Sequence, residues 1–170
     1  MTGRALAGVY WGRFNPPHRG HLALVRRFRR QCALTIVIGS AERRGERRDP
    51  FSGRERQEMW EGYLREAGIR DVGVVALRDG PSLAGAVDRM IRVCRPDVVF
   101  LSSERSRLAA LVERRVRVVR FRRTGRISST RIRDSIASGR SDWTRLTGAS
   151  VARWIRTHGG SARIRDAYKR

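Results

Sequence analysis

The sequence contains almost no lysine: of its 38 basic residues only Lys169 is not an arginine, and against 16 acidic residues the formal net charge is +22. A charge of this size suggests a polyanionic partner. A chain rich in arginine, glycine and alanine is also what a GC-rich genome encodes, so the charge alone argues weakly for nucleic acid. Because arginine forks bind phosphate oxygens in pairs, we expect small polyanions as partners and not nucleic acid.

Two further features are scarce, cysteine and long apolar stretches. Cys32 and Cys94 are the only cysteines, and their apolar surroundings predict reduced thiols in a cytoplasmic protein, not a disulfide framework. No apolar run approaches the roughly 20 residues that span a bilayer, so no membrane partner is expected. The 170 residues fit one domain, 1–170, with a core at about 5–140 and a helical tail at 141–170.

Strand and helix patterns alternate along the chain. Apolar, often β-branched runs predict strands at 5–10, 33–39, 71–77, 97–103 and 116–121. Helical spacing predicts helices at 22–31, 52–68, 82–94, 105–115 and 128–139, then one or two more in the tail. Ser52 with Glu55 predicts a capping box, and Gly68 and Gly139 predict helix ends. The alternation predicts an α/β fold, a Rossmann-like doubly wound parallel sheet of about five strands with a C-terminal helical extension. Its ligand is expected beyond the carboxyl ends of the strands.

The stretch "GRFNPPHRGH" (12–21) follows the first predicted strand and holds two of the three histidines. His18 and His21 are three residues apart and share a face if the helix begins here. Gly12 lets a ligand approach the backbone, and the two prolines hold Asn15 extended. The amides and dipole of a helix start attract anions. No neighbouring cysteine or carboxylate completes a zinc set, so the motif predicts an anion site and no protein-held metal.

At these residues the chain resembles a known family. "GRFNPPHRGH" resembles the (H/T)xGH signature of the nucleotidyltransferase superfamily, and the chain from about residue 7 to 165 resembles its archaeal-type nicotinamide mononucleotide adenylyltransferases. "IGSAERRGERRDPFSGRER" (38–56) resembles that family's second conserved block, and "ISSTRIR" (127–133) resembles its "ISGTxIR" block. The resemblance implies transfer of a nucleoside monophosphate from ATP or CTP to a small anionic acceptor. Pyrophosphate is released, and Mg²⁺ arrives with the triphosphate.

The resemblance also implies roles for particular residues. The expected catalytic residues are Arg13, His18, His21, Arg56 and Arg133, with His21 nearest the α-phosphate. Contacts to the nucleotide and its phosphates are expected from Gly12, Arg13, Phe14, Asn15, His18, Gly20, His21, Ser128, Ser129, Thr130 and Arg133. Contacts to the acceptor are expected from Ser40, Arg47 and Asp79. No serine or cysteine nucleophile next to a base is apparent, which agrees with a transfer that needs only positioning and charge stabilisation.

The acceptor region departs from the family's pattern. In "LRDGPSLAGAVDRM" (77–90) Asp79 is present, but the family's asparagine falls on Ser82 or Leu83 and its nicotinamide-stacking tryptophan on Gly85 or Ala86. "SSE" (102–104) stands where the family has Gly-Asn-Pro. No aromatic residue lies between positions 63 and 100. The remaining candidates for a stacking platform are Trp11 and Trp60.

Three functions therefore stay open. The first is a nicotinamide or nicotinate mononucleotide adenylyltransferase that uses ATP. The second is a CTP-dependent cytidylyltransferase acting on a small phosphonate or phosphate, which needs arginines and no aromatic shelf. Arginines at the predicted mouth are Arg43, Arg44, Arg47, Arg48 and Arg78. The third is a non-catalytic nucleotide- or RNA-binding module. "RRTGRISS" (122–129) is expected to meet the base through backbone atoms, so the choice of base is not determined. Since relatives form dimers to hexamers, a homo-oligomer also stays open.

Overall fold

The computed structural model describes residues 4–122 and 125–169. Its strands are β1 (Ala7–Gly12), β2 (Ala33–Ile38), β3 (Gly73–Ala76), β4 (Val98–Ser102) and β5 (Arg117–Phe121). Its helices are α1 (Arg19–Phe28), α2 (Gly53–Glu66), α3 (Leu83–Cys94), α4 (Ser106–Glu113), α5 (Ser129–Ala137), α6 (Ala149–Thr157) and α7 (Gly160–Lys169), with a 3₁₀ turn at Asp142–Arg145 before α6. The predicted alternation of strands and helices is confirmed, with two helices in the tail.

The five strands form one parallel sheet in the order β3-β2-β1-β4-β5. β1 lies at the centre, where Val9 pairs with Thr35 of β2 on one side and with Val99 of β4 on the other. The chain fills the sheet outward from β1 in both directions, so the strand order reverses between β1 and β4. In doubly wound sheets a ligand crevice forms at this switch point, beyond the carboxyl ends of the strands.

Successive side chains of β1 point into two separate cores, as the pleat of a strand requires. Tyr10 packs with residues of α1, α2 and α5 on one face of the sheet. Val9 and Trp11 pack on the other face against α3 and α4, through residues such as Met90 and Val112. Both faces of the sheet are therefore covered by helices, and the doubly wound architecture is confirmed.

The boundaries around the motif differ from those predicted. β1 runs two residues beyond position 10, because Trp11 and Gly12 still pair with β2. α1 begins at Arg19, three residues before the predicted start. The spacing of apolar residues detects only the apolar stripe of a helix, and in α1 that stripe starts at Leu22. The first turn of α1 consists of polar and small residues, so the spacing does not reveal it. As a result His18 is the N-cap of α1 and His21 lies in its first turn.

The helical tail packs onto the core and braces the motif. Val151, Ile155 and Ile164 are buried in the core shared with α2 and α5. Just before α6, the Thr147 hydroxyl donates to the Pro17 carbonyl at 2.9 Å. Within residues 4–122 and 125–169, no helix is both long enough and apolar enough to cross a membrane.

Candidate active site

A cavity of about 650 Å³ opens at the carboxyl ends of the strands. The segments that follow all five strands line it. They contribute, for example, Arg13 after β1, Ser40 after β2, Asp79 after β3, Glu104 after β4 and Ser128 after β5. Its charged lining residues are Arg13, Arg48, Asp79, Glu104, Arg105, Arg107 and Arg133. Five arginines against two carboxylates make this cavity electrostatically suited to a polyanion.

The turn after β1 has a shape that glycine at position 12 makes possible. Phe14 adopts a left-handed backbone conformation with φ of 53°. Its ring lies under Gly12, where an added Cβ would come within 2.4 Å of Phe14 Cζ. The same ring packs edge-on against Tyr10 and Trp60, with centroids 5.0 and 5.3 Å away. The Phe14 ring thus packs beneath the turn, and Phe14 is also one of the residues that line the cavity.

The two histidines of the motif lie against each other. The rings of His18 and His21 stack with their centroids 3.5 Å apart and their planes at 21°. Nδ1 of His18 accepts a hydrogen bond from the His21 amide at 3.3 Å, so a neutral His18 carries its proton on Nε2. Phe14 holds the His21 ring edge-on at 4.9 Å. His21 lines the cavity, whereas His18 lies behind it, which differs from the expectation that both rings face the phosphates.

The start of α5 is hydrogen-bonded directly to the motif turn, although more than 100 residues separate them. Arg133 Nη1 donates to the Asn15 carbonyl at 2.7 Å, and its Nη2 donates to Thr130 Oγ1 at 3.2 Å. The Ser129 hydroxyl donates to the Pro16 carbonyl at 2.8 Å. Ser128 caps the helix by accepting from the Arg131 amide. Burial lowers the pKa of the Arg133 guanidinium from its ordinary value, but an arginine starts high enough to stay charged.

Arg56 requires a correction. It was expected to be a catalytic residue, but it is fully buried and does not line the cavity. Its guanidinium donates to backbone carbonyls on three segments. Nη1 reaches Arg13 at 2.8 Å and Gly39 at 3.0 Å, Nη2 reaches Ser40 at 2.7 Å, and Nε reaches Ser52 at 3.1 Å. Burial lowers its pKa to about 10. Arg56 therefore positions the ends of β1 and β2 against the start of α2.

Two of the three residues expected to meet the acceptor lie at the cavity. Asp79 Oδ1 accepts from the Ser40 amide at 2.8 Å, and its Oδ2 accepts from the Ser40 hydroxyl at 2.6 Å. Both residues line the cavity. Arg47, the third, does not: its guanidinium lies over the ring of Tyr168 in α7, 4.4 Å from the centroid. The aromatic face attracts this cation away from the mouth, and Arg48 lines the cavity instead.

The two tryptophans considered as stacking platforms have different positions. Trp60 is fully buried in the core and does not line the cavity, so it is excluded. Trp11 lines the cavity but is almost fully buried, with Nε1 close to Gly39. The residue of α3 that lines the cavity is Leu83, whose exposed fraction is 43 %.

Several cavity residues were not predicted to touch a ligand. They are Leu83, Glu104, Arg105 and Arg107, whereas Arg48 is one of the arginines predicted at the mouth. A further residue, Asp49, lies just behind the wall: it is fully buried, and its Oδ2 is 3.6 Å from Arg13 Nη1. The arginine-rich loop that contains it predicts exposed charges, so the sequence carries no signal of this burial.

The loop "RRTGRISS" (122–129) was expected to meet the base through backbone atoms. Its positions 123 and 124 lie outside the described residues.

Comparison with known proteins agrees with this geometry. The family model described as cytidylyltransferase-like matches residues 9–135, well over half of the chain. The chain belongs to the cytidylyltransferase-like family. A relative named nicotinamide-nucleotide adenylyltransferase, from Pyrobaculum aerophilum, is 34 % identical over 166 residues, covering 94 % of this chain and 92 % of that protein. One of the same name from Thermococcus onnurineus is 34 % identical, covering 93 % and 86 %. The predicted resemblance is confirmed.

Solved structures support the fold of this family member. A bifunctional NMN adenylyltransferase/ADP ribose pyrophosphatase from Francisella tularensis superposes with a TM-score of 0.74 at 20 % identity. The match covers 89 % of this chain but only half of the longer protein. A second crystal structure of that bifunctional protein is complexed with AMP and Mn ion (TM-score 0.72, 18 % identity, 96 % and 52 % covered). A putative nicotinate-nucleotide adenylyltransferase from Vibrio parahaemolyticus gives 0.67 at 14 % identity, covering 88 % and 97 %. The Rossmann-like fold is confirmed.

Proposed function

We propose that this protein is a nicotinamide or nicotinate mononucleotide adenylyltransferase that acts in the cytoplasm. It transfers AMP from ATP to the phosphate of the mononucleotide and releases pyrophosphate. The observation that carries the proposal is the convergence of the His-x-Gly-His turn and the start of α5 on one cationic cavity. The two relatives named above, which match nearly the whole chain, support the adenylyl assignment.

In the proposed reaction an oxygen of the acceptor phosphate attacks the α-phosphorus of ATP. The bond from that phosphorus to the β-phosphate oxygen breaks, and pyrophosphate leaves with the electron pair. The chain must bring two anions together and offset the charge that grows in the transition state. Arg13, Arg133 and His21 line the cavity and are the groups assigned to this role. His18 holds His21 in place by ring stacking.

The β- and γ-phosphates are assigned to the start of α5. A helix start offers amides without intrahelical partners and the positive end of the helix dipole. Ser129 and Thr130 are at the cavity wall here. Among the described residues no group of three or more His, Cys, Asp or Glu is placed to hold a metal ion. We therefore propose that Mg²⁺ enters as part of the metal–ATP substrate, held by phosphate oxygens.

The acceptor is assigned to the part of the cavity beside β2 and β3. Ser40 and Asp79 form its polar wall, and Trp11 and Leu83 form its apolar wall. Arg48 supplies a positive charge at this side. An acceptor ring bound here packs against the aliphatic side chain of Leu83 and the edge of Trp11. It does not stack on the face of a tryptophan from α3.

A specific observation favours a second function, CTP-dependent transfer to a small phosphonate or phosphate. The α3 residue at the cavity is aliphatic, while Arg48, Arg105 and Arg107 line the same space. A small acceptor dianion needs cations and no ring platform. A purely nucleotide- or RNA-binding module is the third candidate, and it requires no turnover.

Acceptor and nucleotide profiling tests the proposal. The purified protein is incubated with Mg²⁺ and either ATP or CTP, with nicotinamide mononucleotide, nicotinate mononucleotide or small phosphonates, and pyrophosphate release is measured. We expect turnover with ATP and a mononucleotide. Turnover restricted to CTP with a phosphonate would replace the adenylyl assignment by the second function. An absence of release with every pair would favour the binding module.

A further inference from the structure

The proposed reaction leaves one buried charged group without a role, the carboxylate of Asp49. This side chain has no exposed surface. Its Oδ1 accepts from Asn15 Nδ2 at 3.3 Å. Its Oδ2 accepts no hydrogen bond from the described residues, and it faces Arg13 Nη1 at 3.6 Å. Burying a carboxylate oxygen without a hydrogen bond costs free energy, so a protein keeps such a group when another requirement holds it there.

Asp49 acts electrostatically on three guanidinium groups at or beneath the cavity. Arg13 is the nearest and keeps 35 % of its side chain exposed. Arg56 is fully buried; desolvation lowers its pKa, and Asp49 is the strongest charge opposing that change. The pKa of buried Arg133 is also lowered chiefly by desolvation, and Asp49 is among the groups that oppose this. The buried carboxylate of Asp49 therefore offsets the positive charge of arginines in both the turn 12–21 and helix α5.

A bound phosphate and Asp49 compete for the same cation. Arg13 lines the cavity and keeps part of its side chain exposed, while the fully buried Asp49 lies 3.6 Å from Arg13 Nη1. A carboxylate so close to the arginine reduces the positive potential that an entering polyphosphate meets, and the effect is strong because the carboxylate is shielded from water. The same contact keeps the guanidinium at the wall.

We propose that Asp49 is an internal counter-anion of the phosphate site: it holds Arg13 in position and weakens the binding of polyphosphate, so that pyrophosphate leaves readily after transfer. The inference rests on the proposed nucleotidyl transfer. It assigns Asp49 a positioning role that acts through Arg13, with no contact to substrate and no bond made or broken at the carboxylate.

The affinity for inorganic pyrophosphate tests the proposal without any acceptor. Asp49→Asn keeps the shape of the side chain and an oxygen for Asn15 but removes the charge. The dissociation constant, measured by titration calorimetry at fixed ionic strength, is expected to fall by about fivefold, the low end of coupling between linked sites. In steady-state assays the inhibition constant of pyrophosphate falls by a similar factor.

The matched control is Asp71→Asn, which removes the same charge. Asp71 pairs with Arg29 at the surface and precedes β3, at the end of the sheet opposite the cavity. It is expected to leave pyrophosphate binding unchanged. Arg13→Gln tests the route of the effect: in that background Asp49→Asn is expected to change the dissociation constant by less than about twofold, because the coupled partner is gone.

Thermal unfolding covers the case in which Asp49→Asn folds poorly. When the Asp49 carboxylate is removed, bound pyrophosphate becomes the main anion beside Arg13. Pyrophosphate is therefore expected to raise the melting temperature of Asp49→Asn more than that of the wild type. A variant that is unfolded alone and folds with pyrophosphate supports the proposal. Equal shifts, or a variant that pyrophosphate does not stabilise, overturn it. If the wild type binds no pyrophosphate, the proposed function falls as well, whereas equal binding by wild type and variant removes only the role of Asp49.

Discussion

The two sides of the cavity are built differently. The phosphate side, formed by the turn 12–21 and the start of α5, is fixed by hydrogen bonds from Arg133 and Ser129 to backbone carbonyls of the turn. The acceptor side includes Arg48 and Leu83, which are exposed. Within the part of the chain that the structure describes, the Arg48 side chain makes no hydrogen bond or ion pair. A group that must meet a developing charge needs a fixed position, and the hydrogen bonds of the phosphate side supply it.

This contrast explains which changes are expected to abolish activity and which to redirect it. Substitutions on the phosphate side remove interactions that every substrate pair uses. Substitutions on the acceptor side alter the ratio between acceptors and leave the chemistry intact.

Arg56→Met has the largest expected effect. It removes a fully buried guanidinium, so the carbonyls of Arg13 and Gly39 lose their side-chain donor and the Ser40 carbonyl keeps only the Arg43 amide. Loss of such a buried network costs about 3 to 5 kcal/mol of the free energy of unfolding. Chemical denaturation measures it. Arg54→Met is the matched control, since Arg54 lies two residues earlier on α2 with its side chain 91 % exposed, and it is expected to cost less than about 1 kcal/mol. Comparable losses for both variants would contradict the positioning role.

His21→Ala is next and tests the phosphate side itself. Removing one donor to the transition state is expected to lower kcat by roughly 10²-fold or more, by the same factor for every acceptor. Initial rates of pyrophosphate release measure it, with circular dichroism to verify folding. His158→Ala, at an exposed histidine stacked on Trp154 in the tail, is expected to keep the wild-type rate. A His21 variant with full activity would mean that the centre lies elsewhere.

Gly12→Ala probes the packing beneath the turn. The added Cβ would overlap the Phe14 ring, which also holds His21. Overpacking of this kind costs about 1 to 3 kcal/mol of stability, and the displaced His21 lowers kcat as well. Gly62→Ala, inside α2 with its nearest contact at 3.6 Å, is the control, and it is expected to gain stability by about 0.5 to 1 kcal/mol. Unchanged melting temperature and kcat in Gly12→Ala would show that the turn is not sterically constrained.

The sequence predicted the local geometry of the turn better than the contacts between distant segments, for a physical reason. The constraints on the turn are local: Gly12, the prolines and a helix start encode their geometry within ten residues. The roles of Arg47, Asp49 and Arg56 depend on what distant segments place around them. Tyr168, from the last helix, draws Arg47 away from the mouth, and no pattern within a polar loop encodes that contact. Burial of Asp49 likewise arises from the fold and not from its neighbours in sequence.

Leu83→Trp has the smallest expected effect and sharpens the comparison on the acceptor side. A tryptophan at this cavity-lining position of α3 offers a flat face to an aromatic acceptor ring. Stacking of this kind contributes about 0.5 to 1.5 kcal/mol, so the KM for nicotinamide mononucleotide is expected to fall by about twofold to twelvefold, with kcat and the KM for ATP unchanged.

The control for Leu83→Trp is Leu6→Trp, at an exposed leucine that precedes β1 and so lies at the opposite end of the sheet from the cavity. It is expected to leave both KM values at the wild-type level. If Leu83→Trp instead weakens the mononucleotide while a small phosphonate is still turned over, the ring does not pack beside α3. The free space at Leu83 would then belong to a smaller acceptor, as the second candidate function requires. A gain shared by all acceptors would show that Leu83 acts on the phosphate side, and the division between the two sides would be wrong.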